Sequence, residues 1–180
     1  MNSYIINKVG ILANQVSVNG DRFFSDIVSA EDLYRRLNLG YAKFFKMDTL
    51  CKWALLGAEC VMKNGDSYVY EGLDKTKIAV VLMTNNGCMD VDKRYWETTK
   101  TIPSPALFVY TLPNIMLGEI CIRHGFKGEQ LSLVSDTYNQ EEINFWVDDL
   151  IKNRGMAACL MGWVDVKEDE VRVEMNWVAR

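Results

Sequence analysis

The chain has 180 residues and a mass of 20.6 kDa, the size of a single domain that buries its core without disulfide staples. Its 49% hydrophobic and 24% charged residues exclude a disordered chain. The formal charge of −4 leaves no basic excess to suit a nucleic-acid binder.

From the N-terminus, residues 8–17 (KVGILANQVS) read as a first strand, apolar and β-prone. Ser29 and Asp32 are spaced as a rough capping box for a short helix over 31–37. A longer helix follows over 49–63, with Asp48 as its cap and Gly65 just past its end. Its apolar residues, Trp53 among them, cover more than half the circumference, which predicts a buried helix. Ile78–Thr84 (IAVVLMT) is a continuous apolar run, the pattern of a central strand covered on both faces. A short helix is predicted over 91–98, a weaker strand over 106–111, and a helix from Pro113 at its first position to His124 before Gly125.

The segment from Leu131 to Ser135 (LSLVS) is a short strand. The next helix is the clearest: Asn139 caps it, and Ile143, Trp146, Val147, Leu150 and Ile151 form one apolar stripe before Gly155. Residues 157–166 read as a buried strand. After the polar turn 167–170, Val171, Val173, Met175 and Trp177 alternate with polar residues, which predicts a closing hairpin. The whole is one α/β domain over residues 1–180, with a mixed five-stranded sheet, one antiparallel strand and helices on both faces.

The five cysteines (Cys51, Cys60, Cys88, Cys121, Cys159) form no C-x-x-C, and His124 is the only histidine. No metal site is expected from them, and no cofactor motif is present. No apolar run reaches the ~20 residues of a membrane span, and MNSYIINKVG does not read as a signal peptide. With an odd number of scattered thiols, the expectation is a cytoplasmic protein.

The stretch SPALFVYTLPNIMLGEICIRHGFKGEQLSLVSDT resembles the β-ketoacyl-acyl carrier protein synthases of the thiolase-like superfamily. Ser104, Pro105, Phe108, Thr111, Asn114, Gly118, Ile120, Ile122, Gly125 and Gly128 keep the order and spacing of that family's segment. KMDTLCKWALLGAECVMKNG upstream and AACLMGWVD downstream are similar to two further segments, so the resemblance runs from about Lys43 to Asp165. It implies one half of a duplicated, thiolase-like fold, because the family's catalytic histidines and lysine lie in a second half. It also implies dimerisation through the strand Leu131 to Ser135.

Two departures bear on chemistry. The family's nucleophile is a cysteine about nine residues after the second glycine. That position holds Thr137 here, between Ser135, Asp136 and Tyr138, and Glu129 replaces the family's proline. A hydroxyl needs an adjacent base, and Asp136 would oppose the stabilisation of an anion. No catalytic residue is therefore expected. His124, at a helix end, reads as a structural histidine where a positive charge is favoured.

The loop with Phe108, Tyr110, Thr111, Asn114 and Met116 gives the pocket or interface candidates, since the matching loop of the family lies near the dimer interface. Trp163 and Trp177 are either core or an exposed aromatic pair marking an interface. The favoured expectation is a non-catalytic partner or accessory subunit of fatty-acid or polyketide-type biosynthesis. It would act as a homodimer or as a heterodimer with a full-length ketosynthase, with acyl carrier protein as a further partner. Two alternatives stand beside it: an acyltransferase using Thr137 or Ser135, and a module binding an acyl chain or small molecule.

Overall fold

The computed structural model describes residues 4–12 and 14–180. Two strands, β1 (Tyr4–Leu12) and β2 (Gln15–Val18), fold back on each other, with Val9 opposite Val18 and Leu12 opposite Gln15. The single strand expected over 8–17 is thus a hairpin. The chain reverses at Asn14, a turn-prone residue within the segment. Asn19 and Gly20, at φ 54° and 91°, then turn the chain into β3 (Asp21–Phe24). An Asn-Gly pair is the common two-residue hairpin turn, since both positions need positive φ.

Helix α1 (Ala30–Arg36) starts on Ser29, whose side chain accepts from the Asp32 amide. Helix α2 (Thr49–Met62) starts on Asp48, which accepts from the Cys51 amide. A two-residue hairpin, β4 (Lys63–Asn64) with β5 (Ser67–Tyr68), leads to β6 (Ile78–Thr84), buried at every residue. Helix α3 (Met89–Thr99) follows.

The strand expected over 106–111 is instead a helical turn, α4 (Pro105–Phe108). The Ser104 side chain accepts from the Leu107 amide and Pro105 occupies the first turn. Local capping there outweighs the β-propensity of the residues that follow. Helix α5 (Ile115–His124) begins two residues after Pro113, with Asn114 at its cap position, and ends on Gly125 at φ 75°. Then come β7 (Gln130–Val134), α6 (Gln140–Lys152), and the hairpin β8 (Ala158–Lys167) and β9 (Glu170–Ala179).

Seven strands, not five, form the main sheet, in the order β3-β2-β1-β9-β8-β6-β7. Strand β6 runs parallel to β7 and β8, while β9, β1, β2 and β3 each pair antiparallel with their neighbours. The two parallel pairs need helical crossovers, and α3–α5 and α6 supply them.

The sheet faces two cores. Leu82, Leu160, Met175 and Trp177 pack with α1, α2 and α5. Val81, Cys159, Met161 and Val178 pack with Ile143, Val147, Leu150 and Ile151 of α6. Trp177 is fully buried and Trp163 nearly so. Trp177 packs in the first core, while strand alternation puts Trp163 on the opposite face, so they are no exposed pair. Gly128 lets the chain enter β7 close against β6: a Cβ there would lie 2.2 Å from the Ile78 carbonyl oxygen.

Candidate functional site

Strand β7 ends at Val134, and the Ser135 amide donates to the Thr84 carbonyl at 3.0 Å. Beyond that bond Asp136 and Thr137 are exposed. Tyr138 turns back onto Trp163, with ring centroids 5.9 Å apart, and burial pushes its phenol up to about 12. Asn139 caps α6 by accepting from the Glu142 amide at 3.1 Å. The helix end that could hold an anion is therefore occupied by its own side chain, and Glu141 and Glu142 in the first turn oppose a negative guest.

The histidine is not placed to serve Thr137. His124 lies at the opposite end of β7, about 17 Å of strand away. It is buried, with Nδ1 2.9 Å from the Tyr70 hydroxyl, among the rings of Tyr68, Tyr70 and Phe126. Burial pulls its pKa down to about 4 despite Glu59 nearby. His124 is thus a neutral core residue rather than the cation expected at a helix end, because desolvation exceeds the helix-end attraction.

The five cysteines are all buried and free. Cys51, in the first turn of α2, is close to Cys88, and Cys88, between β6 and α3, lies at the same end of the sheet as Thr137. Burial first, then Asp92, pushes its thiol up to about 12. It stays a protonated thiol at neutral pH, a poor nucleophile.

Two polar clusters escaped the sequence pattern. Asp165 of β8 ties down the loop after β6. Its Oδ1 accepts from Thr84 Oγ1 at 3.0 Å and from the Asn85 and Asn86 amides at 3.0 and 2.7 Å, and its Oδ2 accepts from Asn86 Nδ2 at 2.6 Å. Glu59, fully buried in α2, accepts from Arg123 Nε and the Tyr68 hydroxyl, each at 2.8 Å. Helical spacing puts Glu59 among apolar neighbours; nothing local announces an arginine 64 residues later. Among the described residues no group of three His, Cys, Asp or Glu is arranged to hold a metal.

The candidate loop divides between surface and core. Phe108 is 58% exposed and packs on Tyr95 with centroids 5.5 Å apart. The Tyr110 hydroxyl donates to Glu119 Oε1 at 3.2 Å, and Lys43 pairs with Oε2 at 2.6 Å. Thr111 donates its hydroxyl to the Phe108 carbonyl, and Asn114 is exposed. Met116 is fully buried in the core of α2 and α5. Helix α3 buries only Val91. Helices α3 and α4 with the loop after them form an arm on which Trp96, Ile102, Phe108, Val109 and Leu112 stay exposed.

The sheet also has an open strand edge. β7 is the last strand of the sheet and pairs only with β6. The Val80 amide bonds to the Glu129 carbonyl, and the Ser135 amide to the Thr84 carbonyl. Backbone groups alternate sides along a strand, so those of Ser132 and Val134 point outward from the sheet.

No protein-family model matches the chain, and no curated protein matches it. Solved structures do. The chain is similar to the ishigamide ketosynthase/chain length factor, at TM-score 0.76 and 12% identity, over 99% of this chain and 62% of that one. It is similar to the ketosynthase ApeO in complex with its chain length factor ApeC from Xenorhabdus doucetiae, at TM-score 0.66 and 10% identity, over 100% and 79%. It is also similar to AntDE:AntF, a type II polyketide synthase acyl-carrier protein in complex with its ketosynthase, at TM-score 0.69 and 10% identity, over 99% and 62%. The chain thus has the thiolase-like fold of the ketosynthases and spans 62% of the length of the first of these structures.

Proposed function

We propose that the chain is an accessory subunit of polyketide-type or fatty-acid-like assembly, built on the first half of a ketosynthase fold and without condensing chemistry of its own. What supports this reading is the exposed Thr137, which the resemblance aligns with the family's nucleophile, in front of a self-capped helix end. Acyl transfer needs a nucleophile that also leaves well, and an unactivated hydroxyl does neither.

Its partner is a ketosynthase, held through the open edge of β7 and the apolar arm. Unpaired backbone along an edge strand favours strand addition, and exposed aromatic residues such as Trp96 and Phe108 suit a buried interface core. Two of the similar structures pair a ketosynthase with a chain length factor, or carry both in one name. Another includes an acyl-carrier protein, which supports such a protein as a further partner.

The reading is tested by incubating the chain with acyl-CoA and with acyl-loaded carrier protein, then recording its intact mass. No adduct is expected. A stable adduct abolished by Thr137→Ala, or by Ser135→Ala, would establish an acyltransferase and overturn the reading.

A further inference from the structure

Two breaks in strand register flank one cavity. Ser17 of β2 pairs with Arg22 and Val16 with Phe24, so Phe23 is an extra residue in β3. On a regular strand Phe23 and Phe24 point to opposite faces. The bulge re-aims them, and both rings line the cavity, with centroids 4.5 Å apart. The second break lies between Ile5 and Asn7 of β1. Past it, Asn7 reaches α2, where its side-chain amide donates to the Val61 carbonyl at 3.0 Å. Its Oδ1 accepts from Asn19 Nδ2 at 3.2 Å.

The cavity has a volume of ≈ 560 Å³, within the roughly 300–1,000 Å³ of small-molecule sites. It lies between the β3 edge of the sheet and the C-terminal ends of α1 and α2. Val18, Leu37, Cys60 and Val69 extend its apolar wall. Its charge has one sign: among the described residues Arg36 and Lys63 line it, and no carboxylate does. Arg36 is already committed. Its Nε and Nη2 pair with Asp32 at 3.2 and 3.0 Å, and Nη1 and Nη2 donate to the Ser25 and Asp26 carbonyls, each at 3.0 Å. Lys63 is half-buried, and its Nζ donates to the Leu37 carbonyl at 3.3 Å. Among the described residues no carboxylate pairs with it, so two of its three N–H groups stay available.

We propose that this cavity binds an amphipathic monocarboxylate, its apolar body against Phe23, Phe24 and Val69 and its carboxylate on the Lys63 ammonium. Phe23 is 52% exposed, and a bound apolar body removes that surface from water. One free cation matches a singly charged head, and a phosphate would bring charge that no second free cation meets. In a half-enclosed, largely apolar site the bond from ammonium to carboxylate is stronger than it is in open water. The cavity lies at β3, the opposite edge of the sheet from β7. Neither Thr137 nor the edge offered to a ketosynthase takes part.

Titration calorimetry of the full chain with octanoate at neutral pH tests the inference. One-to-one binding is expected, with a Kd below about 1 mM. Octanol, with the same chain and no charge, should bind about tenfold more weakly, and octyl phosphate no more tightly than octanoate. Lys63→Gln can still donate to the Leu37 carbonyl and should weaken octanoate about tenfold, whereas Lys63→Arg should retain most of the affinity. Phe23→Ser should weaken octanoate about fivefold at unchanged circular dichroism. No binding of octanoate overturns the inference. So does octanol binding as tightly as octanoate, octyl phosphate binding more tightly, or binding indifferent to Lys63→Gln and Phe23→Ser. None of these outcomes bears on the accessory role, which the adduct measurement decides separately.

Discussion

His124 and Glu59 lie within 3.8 Å of each other, and both are removed from water. For His124 the folded pKa is about 4, against an ordinary 6.5. Between those values the unfolded chain binds a proton that the folded chain refuses. Stability from this residue is therefore full above about pH 6.5 and falls as the pH drops toward 4, by roughly 3 kcal/mol across the window. Urea midpoints at pH 7 and pH 5 should drop more for the wild type than for His124→Gln, and equal drops would contradict the assignment. Fully buried Glu59 holds the half-buried Arg123 and Tyr68 against the core. Glu59→Ala strips both of their partner and should cost about 1–3 kcal/mol, read as a lower Tm.

At the level of elements, patterning and caps locate most of the structure. The stripe of α6, its Asn139 cap and the apolar run of β6 correspond to what forms. Where the sequence pattern misleads, a local bond decides. Ser104 and Pro105 wind α4 out of residues with strand character. Positive φ at Asn19 and Gly20 adds a strand at the far edge of the sheet. The tryptophan pair was ambiguous because alternation assigns faces and cannot say which face is covered.

The candidate site was readable in part. Thr137, Ser135 and Asp136 follow β7 at the turn expected of them. The tie from Asp165 to Thr84 and Asn86 joins residues about 80 apart in sequence and leaves no local trace. Close approach is likewise invisible to patterning. Gly128→Ala drives a methyl into the Ile78 backbone and should cost about 1–3 kcal/mol, seen as a lower urea midpoint at unchanged slope. Asn139→Ala removes the α6 cap at about 1 kcal/mol. Because the cap and not a ligand fills that helix end, it should not create acyl transfer.

The molecule as a whole has a thiolase-like fold, and the turn after β7, with Asp136 and Thr137, is solvated. What remains open is surface: the outward backbone of β7 and the arm carrying Trp96 and Phe108. An exposed strand edge and exposed aromatics are each a liability for an isolated domain unless something covers them.

The most direct measurement is light scattering on size-exclusion eluates of the chain co-expressed with a full-length ketosynthase. The account predicts a one-to-one complex for the wild type. It predicts loss of that complex with Ser132→Pro, which removes an outward N–H while sparing the bonds to β6. A chain that elutes apart from the ketosynthase, or a complex indifferent to Ser132→Pro, would contradict it.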